Sequence, residues 1–154
     1  MERSADDRRH EPSGGPANHA SQPDPRTREL GDAECWSVLG DSGIARLAFQ
    51  TDPAGVDIMP INYRIDERRL YFRSAPGVKL TSIVRHPKVA VQVERLAGGN
   101  WFSVVLKGEA ARLEFDDEIE HSGVLDLAST QAGDKFNFVR VIPDTVTGRT
   151  FPAT

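Results

Sequence analysis

Along most of the chain after residue 40, apolar and polar positions alternate with a period of two. That is the spacing of strands that bury one face. Ala45, Leu47 and Phe49 alternate with Arg46 and Ala48 and predict a first strand. Met59, Ile61, Tyr63 and Ile65 make one face of a second, and residues 70–74 read as a third. Asp52-Pro53-Ala54-Gly55 and Asp66-Glu67-Arg68 have turn composition, so these three runs predict an antiparallel meander. Val89, Val91 and Val93 mark a fourth strand, residues 101–113 a long fifth, and residues 136–142 a sixth.

The period shifts to a helical one in three places. Asp32 is placed to cap a short helix through Cys35, Trp36, Val38 and Leu39, which Gly40 and Gly43 end. Leu80, Ile83 and Val84 give helical spacing over residues 78–85, stopped by His86-Pro87. Asp116 is placed to cap an acidic helix through Ile119 and Leu125, weakened by Gly123. Six strands with short connections and three short helices predict a mainly β (α+β) fold, an antiparallel barrel rather than a parallel doubly wound sheet.

Residues 1–30 break the pattern. They hold Pro12, Pro16, Pro23, Pro25 and Gly14-Gly15 but no aromatic residue, Val or Ile. Such a segment buries too little apolar surface to offset the roughly 1–2 kcal/mol per residue that ordering a backbone costs. It is expected to be a disordered tail, with His10 and His19 solvated, ahead of one domain over 31–154. The formal charge of −4 argues against a nucleic-acid binder relying on a broad basic surface. Apolar runs of only a few residues allow no membrane-spanning helix, and the N-terminus lacks the apolar core of a secretory signal. The expected location is the cytoplasm. A single cysteine, Cys35, excludes an internal disulfide and a multi-cysteine metal site, and it reads as a small buried hydrophobe.

The segment richest in chemistry is Arg73-Ser74-Ala75-Pro76-Gly77-Val78-Lys79-Leu80. A strand ends in Arg and Ser, turns at Pro-Gly, and enters a helix with Lys in its first turn. A helix start presents unpaired N–H groups and a partial positive charge, and so favours an anion. Arg73 offers a planar fork suited to phosphate, Lys79 a point charge and Ser74 a hydroxyl. Hydrogen bonds to charged groups contribute roughly 1.5–3 kcal/mol each, so a few of them to one phosphate bring micromolar binding within reach. The competing reading is an ordinary strand-to-helix turn with a solvated Arg and Lys. Two further segments stand out. In Ile58-Met59-Pro60-Ile61-Asn62-Tyr63, a proline inside a strand implies an edge or a bulge. In residues 101–108, Trp101 and Ser103 share one face while Phe102, Val104 and Leu106 share the other.

Taken in order, these segments resemble the pyridoxamine 5'-phosphate oxidase-like family of flavin-binding split β-barrels, closest to its small actinobacterial-type members. The marks are Glu34-Cys35-Trp36, residues 43–49, Pro60-Ile61-Asn62-Tyr63, residues 72–80, residues 101–108, Arg140-Val141-Ile142-Pro143 and Thr147-Gly148-Arg149. The resemblance spans about residues 30–151. It implies a six-stranded split barrel that forms a homodimer, with two flavin sites at the interface. By the same resemblance, Arg73, Ser74 and Lys79 with the Gly77–Val78 backbone hold the cofactor phosphate, and Leu80 counts among the cofactor-binding residues. The flavin ring lies along Pro60, Ile61 and Asn62, and Trp101 and Ser103 close the site. Gly77-Val78-Lys79 stands where members have Gly-Thr-Lys or Gly-Ser-Lys, which removes one hydroxyl donor. Arg140 and Arg149 are present near the C-terminus, but the surrounding pattern of the vitamin B6 enzymes is not.

No catalytic acid–base set and no metal site is legible, as suits a protein whose cofactor carries the chemistry. The leading expectation is an oxidoreductase using FMN, or alternatively the deazaflavin F420, on a small molecule. Lys107 and Arg140 are candidates to meet the longer anionic tail of F420. The alternatives are a non-catalytic flavin- or haem-binding carrier or sensor on the same barrel, and a barrel with a purely structural role.

Overall fold

A computed structural model describes residues 25–127 and 137–154. Seven strands form one sheet: β1 (Arg28–Glu29), β2 (Ser42–Thr51), β3 (Gly55–Asp66), β4 (Arg69–Ser74), β5 (Lys88–Ala97), β6 (Asn100–Arg112) and β7 (Asn137–Pro152). Their order is β1-β7-β4-β3-β2-β5-β6, every pairing is antiparallel, and β7 also pairs with β6. That last pairing closes strands β2 to β7 into a barrel and leaves β1 as an appendix on β7. The antiparallel barrel expected from the alternation is therefore what forms.

The side chains of one face fill the interior. Leu47, Tyr63, Leu70, Phe72, Val91, Val104, Leu106, Val139 and Val141 are fully enclosed there. Helix α1 (Asp32–Leu39) adds Cys35 and Leu39 to this core, and α2 (Val78–Arg85) adds Ile83. A smaller apolar layer lies outside the barrel. Tyr71 of β4 and Leu113 are covered by Val124, which follows α3 (Asp116–His121) in a short 3-10 turn, Val124–Asp126.

Several boundaries differ from those the sequence predicts. Gly31, not Asp32, caps α1, and its N–H donates to Glu34 Oε2 at 2.9 Å. Asp32 lies inside the helix and pairs with Arg68 at 2.8 Å. That contact, with the Arg68 guanidinium 5.3 Å from the centre of the Trp36 ring, holds a two-residue hairpin turn. Glu67 and Arg68 both have positive φ, which such a turn demands and which Gly or Asn usually supplies. Phe115, not Asp116, caps α3, which ends at His121, because Gly123 turns left-handed at φ 69°.

Strand β7 does not stop at Ile142 but runs to Pro152. Its extra residue, Asp144, sits in a bulge opposite Lys107 and Gly108, where a Cβ on Gly108 would collide with the Ile142 carbonyl. The bulge lets the ladder cross Pro143 and continue. Of the segment read as a tail, residues 1–24 lie outside the described residues, as does Phe136. Residues 28–30 are structured. Arg28 and Glu29 pair with Thr150 and Arg149, Leu30 packs on the core, and the Arg28 guanidinium grips both oxygens of Glu34 at 2.9 Å. Composition missed this because three residues dock by backbone pairing and one ion pair, neither of which needs an apolar run.

Candidate functional site

Strand β4 hands the chain to α2 through the exposed Ala75, Pro76 and Gly77. Alternation along β4 sends Leu70 and Phe72 into the barrel, and Tyr71 and Arg73 outward. The Arg73 Nε donates to the Val124 carbonyl at 3.1 Å, and its terminal nitrogen donates to the Leu125 carbonyl. Its guanidinium lies 5.7 Å from the centre of the Phe138 ring, in the outer layer. Ser74 is buried, and its hydroxyl donates to the Ala75 carbonyl at 3.1 Å.

Lys79, in the first turn of α2, goes the other way. Its ammonium stands 5.8 Å from the centre of the Phe72 ring, on the side of β4 that faces the barrel interior. The side chain is half-buried, and burial alone pushes its pKa below the usual lysine value. Among the described residues no carboxylate forms an ion pair with it. The two cations expected to act together therefore lie on opposite sides of β4. Arg73 is held by backbone carbonyls, and Lys79 faces the Phe72 ring. Gly77 caps α2 with open space around its Cα, and Leu80 packs on the core.

Pro60 and Asn62 sit on the outer face of β3, with Ile61 buried between them. The β3–β4 ladder covers only Tyr63 to Asp66, so Pro60 falls where β3 is paired with β2 alone. A proline without a donor is tolerated there, at a local edge inside the sheet order. This opening is the split in the barrel wall.

From Pro60 a polar band runs across the outer face. Pro60 lies opposite Arg46, which lies opposite Gln92. Arg46 donates to Gln92 at 3.2 Å and pairs with Glu94 at 3.3 Å, and Gln92 Nε2 donates to Ser103 Oγ at 3.2 Å. Pro60 and Ser103 thus stand on one continuous face joined by Arg46 and Gln92. Trp101, half-buried, is beside Ser103 on β6. The sequence reading overlooked Arg46 and Gln92, although outward-facing polar residues in consecutive strands are the available signal.

Arg140 is tied down as well. It pairs with Glu118 at 2.6 Å, while the Tyr71 hydroxyl donates to the same oxygen at 3.4 Å. Lys107 is exposed on the outer face. Cys35 is 1% exposed within the core, and burial pushes its thiol pKa up, the setting of a structural cysteine. Among the described residues no group of three His, Cys, Asp or Glu side chains could hold a metal. None of their helices is long and apolar enough to cross a membrane.

The split barrel has known counterparts. The sequence matches the family described as pyridoxamine 5'-phosphate oxidase over residues 31–150. The chain belongs to this family. Among solved structures it is similar to a FAD-binding protein from Mesorhizobium loti, with 28% identity, 81% of this chain and 98% of that one covered, and a TM-score of 0.71. A FAD-binding protein from Mycobacterium smegmatis shares 27% identity over 82% of this chain and all of that one, with a TM-score of 0.68. A protein of unknown function from Corynebacterium diphtheriae reaches 32% identity over 82% of this chain and 98% of its own, also at 0.68. No curated protein matches the chain.

Proposed function

We propose that this chain is a flavoprotein, an oxidoreductase using FMN, or alternatively the deazaflavin F420, on a small molecule. The observation that carries the reading is Lys79, a half-buried ammonium at the start of α2 with no counter-ion among the described residues. A partly desolvated charge with no partner is costly. A phosphate beside the free N–H groups of residues 78–80 would supply the missing charge. The residues present fit such a group: Gly77 leaves open space at the helix start, and among the described residues no carboxylate pairs with Lys79. Family membership and two FAD-binding neighbours support the same cofactor class.

When bound, the flavin supplies hydride or electron transfer. The chain supplies placement. Lys79 and the amides of α2 hold the phosphate, the edge formed by Pro60, Ile61 and Asn62 borders the ring, and Ser103 with Trp101 closes the outer side. Arg73 orders the outer layer instead of contacting the phosphate. The outer faces of β2 and β3 expose Ile44 by 71% and Ile58 by 59%. Apolar side chains this exposed beside a polar band suit a second copy of the chain, so the working unit is a homodimer.

The test is the visible spectrum of the purified protein, followed by titration of stripped protein with FMN, FAD and F420. Quenching of flavin fluorescence with a one-to-one endpoint per chain is expected. A colourless protein that quenches none of the three overturns the reading. The second reading, a non-catalytic carrier or sensor, draws on the two neighbours described only as FAD-binding proteins. A bound flavin that neither NAD(P)H nor reduced F420 can reduce decides for it. Light scattering in solution reads the oligomeric state.

A further inference from the structure

A recess of about 490 Å³ lies on the outer face of β6 and β7, with Glu29 of β1 in its wall. Strand register builds its floor. Val105 stands opposite Thr147 and Trp101 opposite Phe151, so these two rungs bracket position 149. Arg149 in turn lies opposite Glu29 of β1. Glu29, Leu30, Val105, Arg149 and Phe151 line the recess together with Ser103, which lies directly opposite Arg149.

Directly paired positions in antiparallel strands have Cα atoms only about 4.5–5.5 Å apart. Glu29 and Arg149 occupy such a pair, yet among the described residues they form no ion pair with each other or with any other side chain. The neighbouring charges are engaged elsewhere, Arg28 with Glu34 at 2.9 Å and Glu94 with Arg46 at 3.3 Å. The recess therefore presents one open carboxylate and one open guanidinium side by side, next to apolar surface from Leu30, Val105 and Phe151.

We propose that this recess binds a small zwitterion of the α-amino-acid type with an apolar side chain. Arg149 takes the carboxylate, as its planar fork does best. Glu29 accepts from the ammonium. The apolar group rests against Val105, Leu30 and Phe151, and the volume is within the usual range for small-molecule pockets. A simple anion would meet the charge of Glu29 and a simple amine that of Arg149, so a molecule carrying both charges is preferred. The proposal goes beyond the flavin reading and shares one residue with it, Ser103. Strand β1 supplies half of the charge pair, which gives the docked arm a role besides stability.

The test uses the full chain and three probes with the same body: L-phenylalanine, hydrocinnamate as the anion alone, and phenethylamine as the cation alone. Binding is followed by the backbone amide shifts of Val105, Thr147 and Arg149. Saturable binding of phenylalanine is expected, tighter than either single-charge probe by about tenfold, the scale of one charge-assisted hydrogen bond. Arg149→Gln should lower phenylalanine to the level of phenethylamine, and Glu29→Gln to that of hydrocinnamate. Absence of saturable shifts, equal binding of the three probes, or full affinity in either variant overturns the proposal. Should a variant melt early, the ranking of probes on the unaltered chain decides alone. FMN titration of the same samples, with and without phenylalanine, reads the neighbouring flavin site, so loss of phenylalanine binding alone overturns this proposal and loss of FMN binding alone overturns the flavin reading.

Discussion

The Lys79 ammonium rests 5.8 Å from the centre of the Phe72 ring, a ring that belongs to the barrel core. The face of an aromatic ring attracts a cation, but it returns less than the hydration lost on burial unless an anion arrives. The next residue of the strand, Arg73, turns outward onto Phe138 and the carbonyls of Val124 and Leu125. One strand thus separates a half-buried cation over a core ring from a cation engaged with backbone carbonyls, and replacing each should have a different result.

Lys79→Ala should weaken FMN binding about tenfold to a hundredfold, the worth of one charge-assisted hydrogen bond to phosphate. The melting temperature should hardly change or should rise slightly, since a desolvated charge is removed. Fluorescence quenching by the stripped variant measures the first and calorimetry the second. Affinity equal to that of the unaltered chain would remove Lys79 from the site.

Arg73→Ala should act chiefly on stability. Removing the guanidinium leaves the Val124 and Leu125 carbonyls without their donor and should cost about 1.5–3 kcal/mol in urea unfolding, the range for hydrogen bonds to a charged group. FMN affinity should fall less than in Lys79→Ala.

Flavin affinity should also depend on pH. Burial sets the Lys79 pKa below that of an ordinary lysine, so its charge disappears at lower pH than usual. Affinity should be full while Lys79 is protonated and should decline as pH rises through that lowered value. Quenching titrations at alkaline pH check this, and in Lys79→Ala the alkaline decline should be absent.

The arm carries a titration of its own. The Arg28 guanidinium and then the Gly31 N–H hold the Glu34 carboxyl down at about 2. A depressed carboxylate contributes stability above its unfolded value, near 4.3, and loses it as pH falls toward the folded value. Docking of β1 should therefore persist at neutral pH and weaken between about pH 4 and 2, as read from Glu34 and the β1 amides by NMR.

Gly148→Ala should strain the junction of arm and barrel. A Cβ there would stand 2.8 Å from Leu30 Cδ1, 2.9 Å from Cys35 Sγ and 3.1 Å from Val104 Cγ2. Overpacking of this kind costs typically about 1–3 kcal/mol. Protease cleavage after Arg28 should accelerate together with the loss in unfolding free energy.

Residues 78–85 show how far local pattern reaches. Leu80, Ile83 and Val84 at helical spacing, with His86-Pro87 after them, place α2 where it lies, because periodicity and a helix stop are properties of neighbouring residues. The second half of β7 shows the limit. Pro143, Asp144 and Gly148 read locally as interruptions, yet β6 supplies a partner for almost every residue and a bulge absorbs the extra one. The hairpin at Glu67-Arg68 is similar, since its positive φ angles rest on Asp32 and Trp36, far away in the chain.

The candidate site divides in the same way. Sequence alone determined the strand–turn–helix segment, the inward face of Ile61 and Tyr63, the buried Cys35 and the antiparallel barrel, all of which follow from spacing and residue type. Tertiary structure decided that Arg73 and Lys79 part company, that Arg46 and Gln92 join Pro60 to Ser103, and that Glu29 meets Arg149. Those outcomes depend on which strands become neighbours and in what register. Register is fixed by burial of the barrel's interior face as a whole, a sum over distant residues that no short window contains.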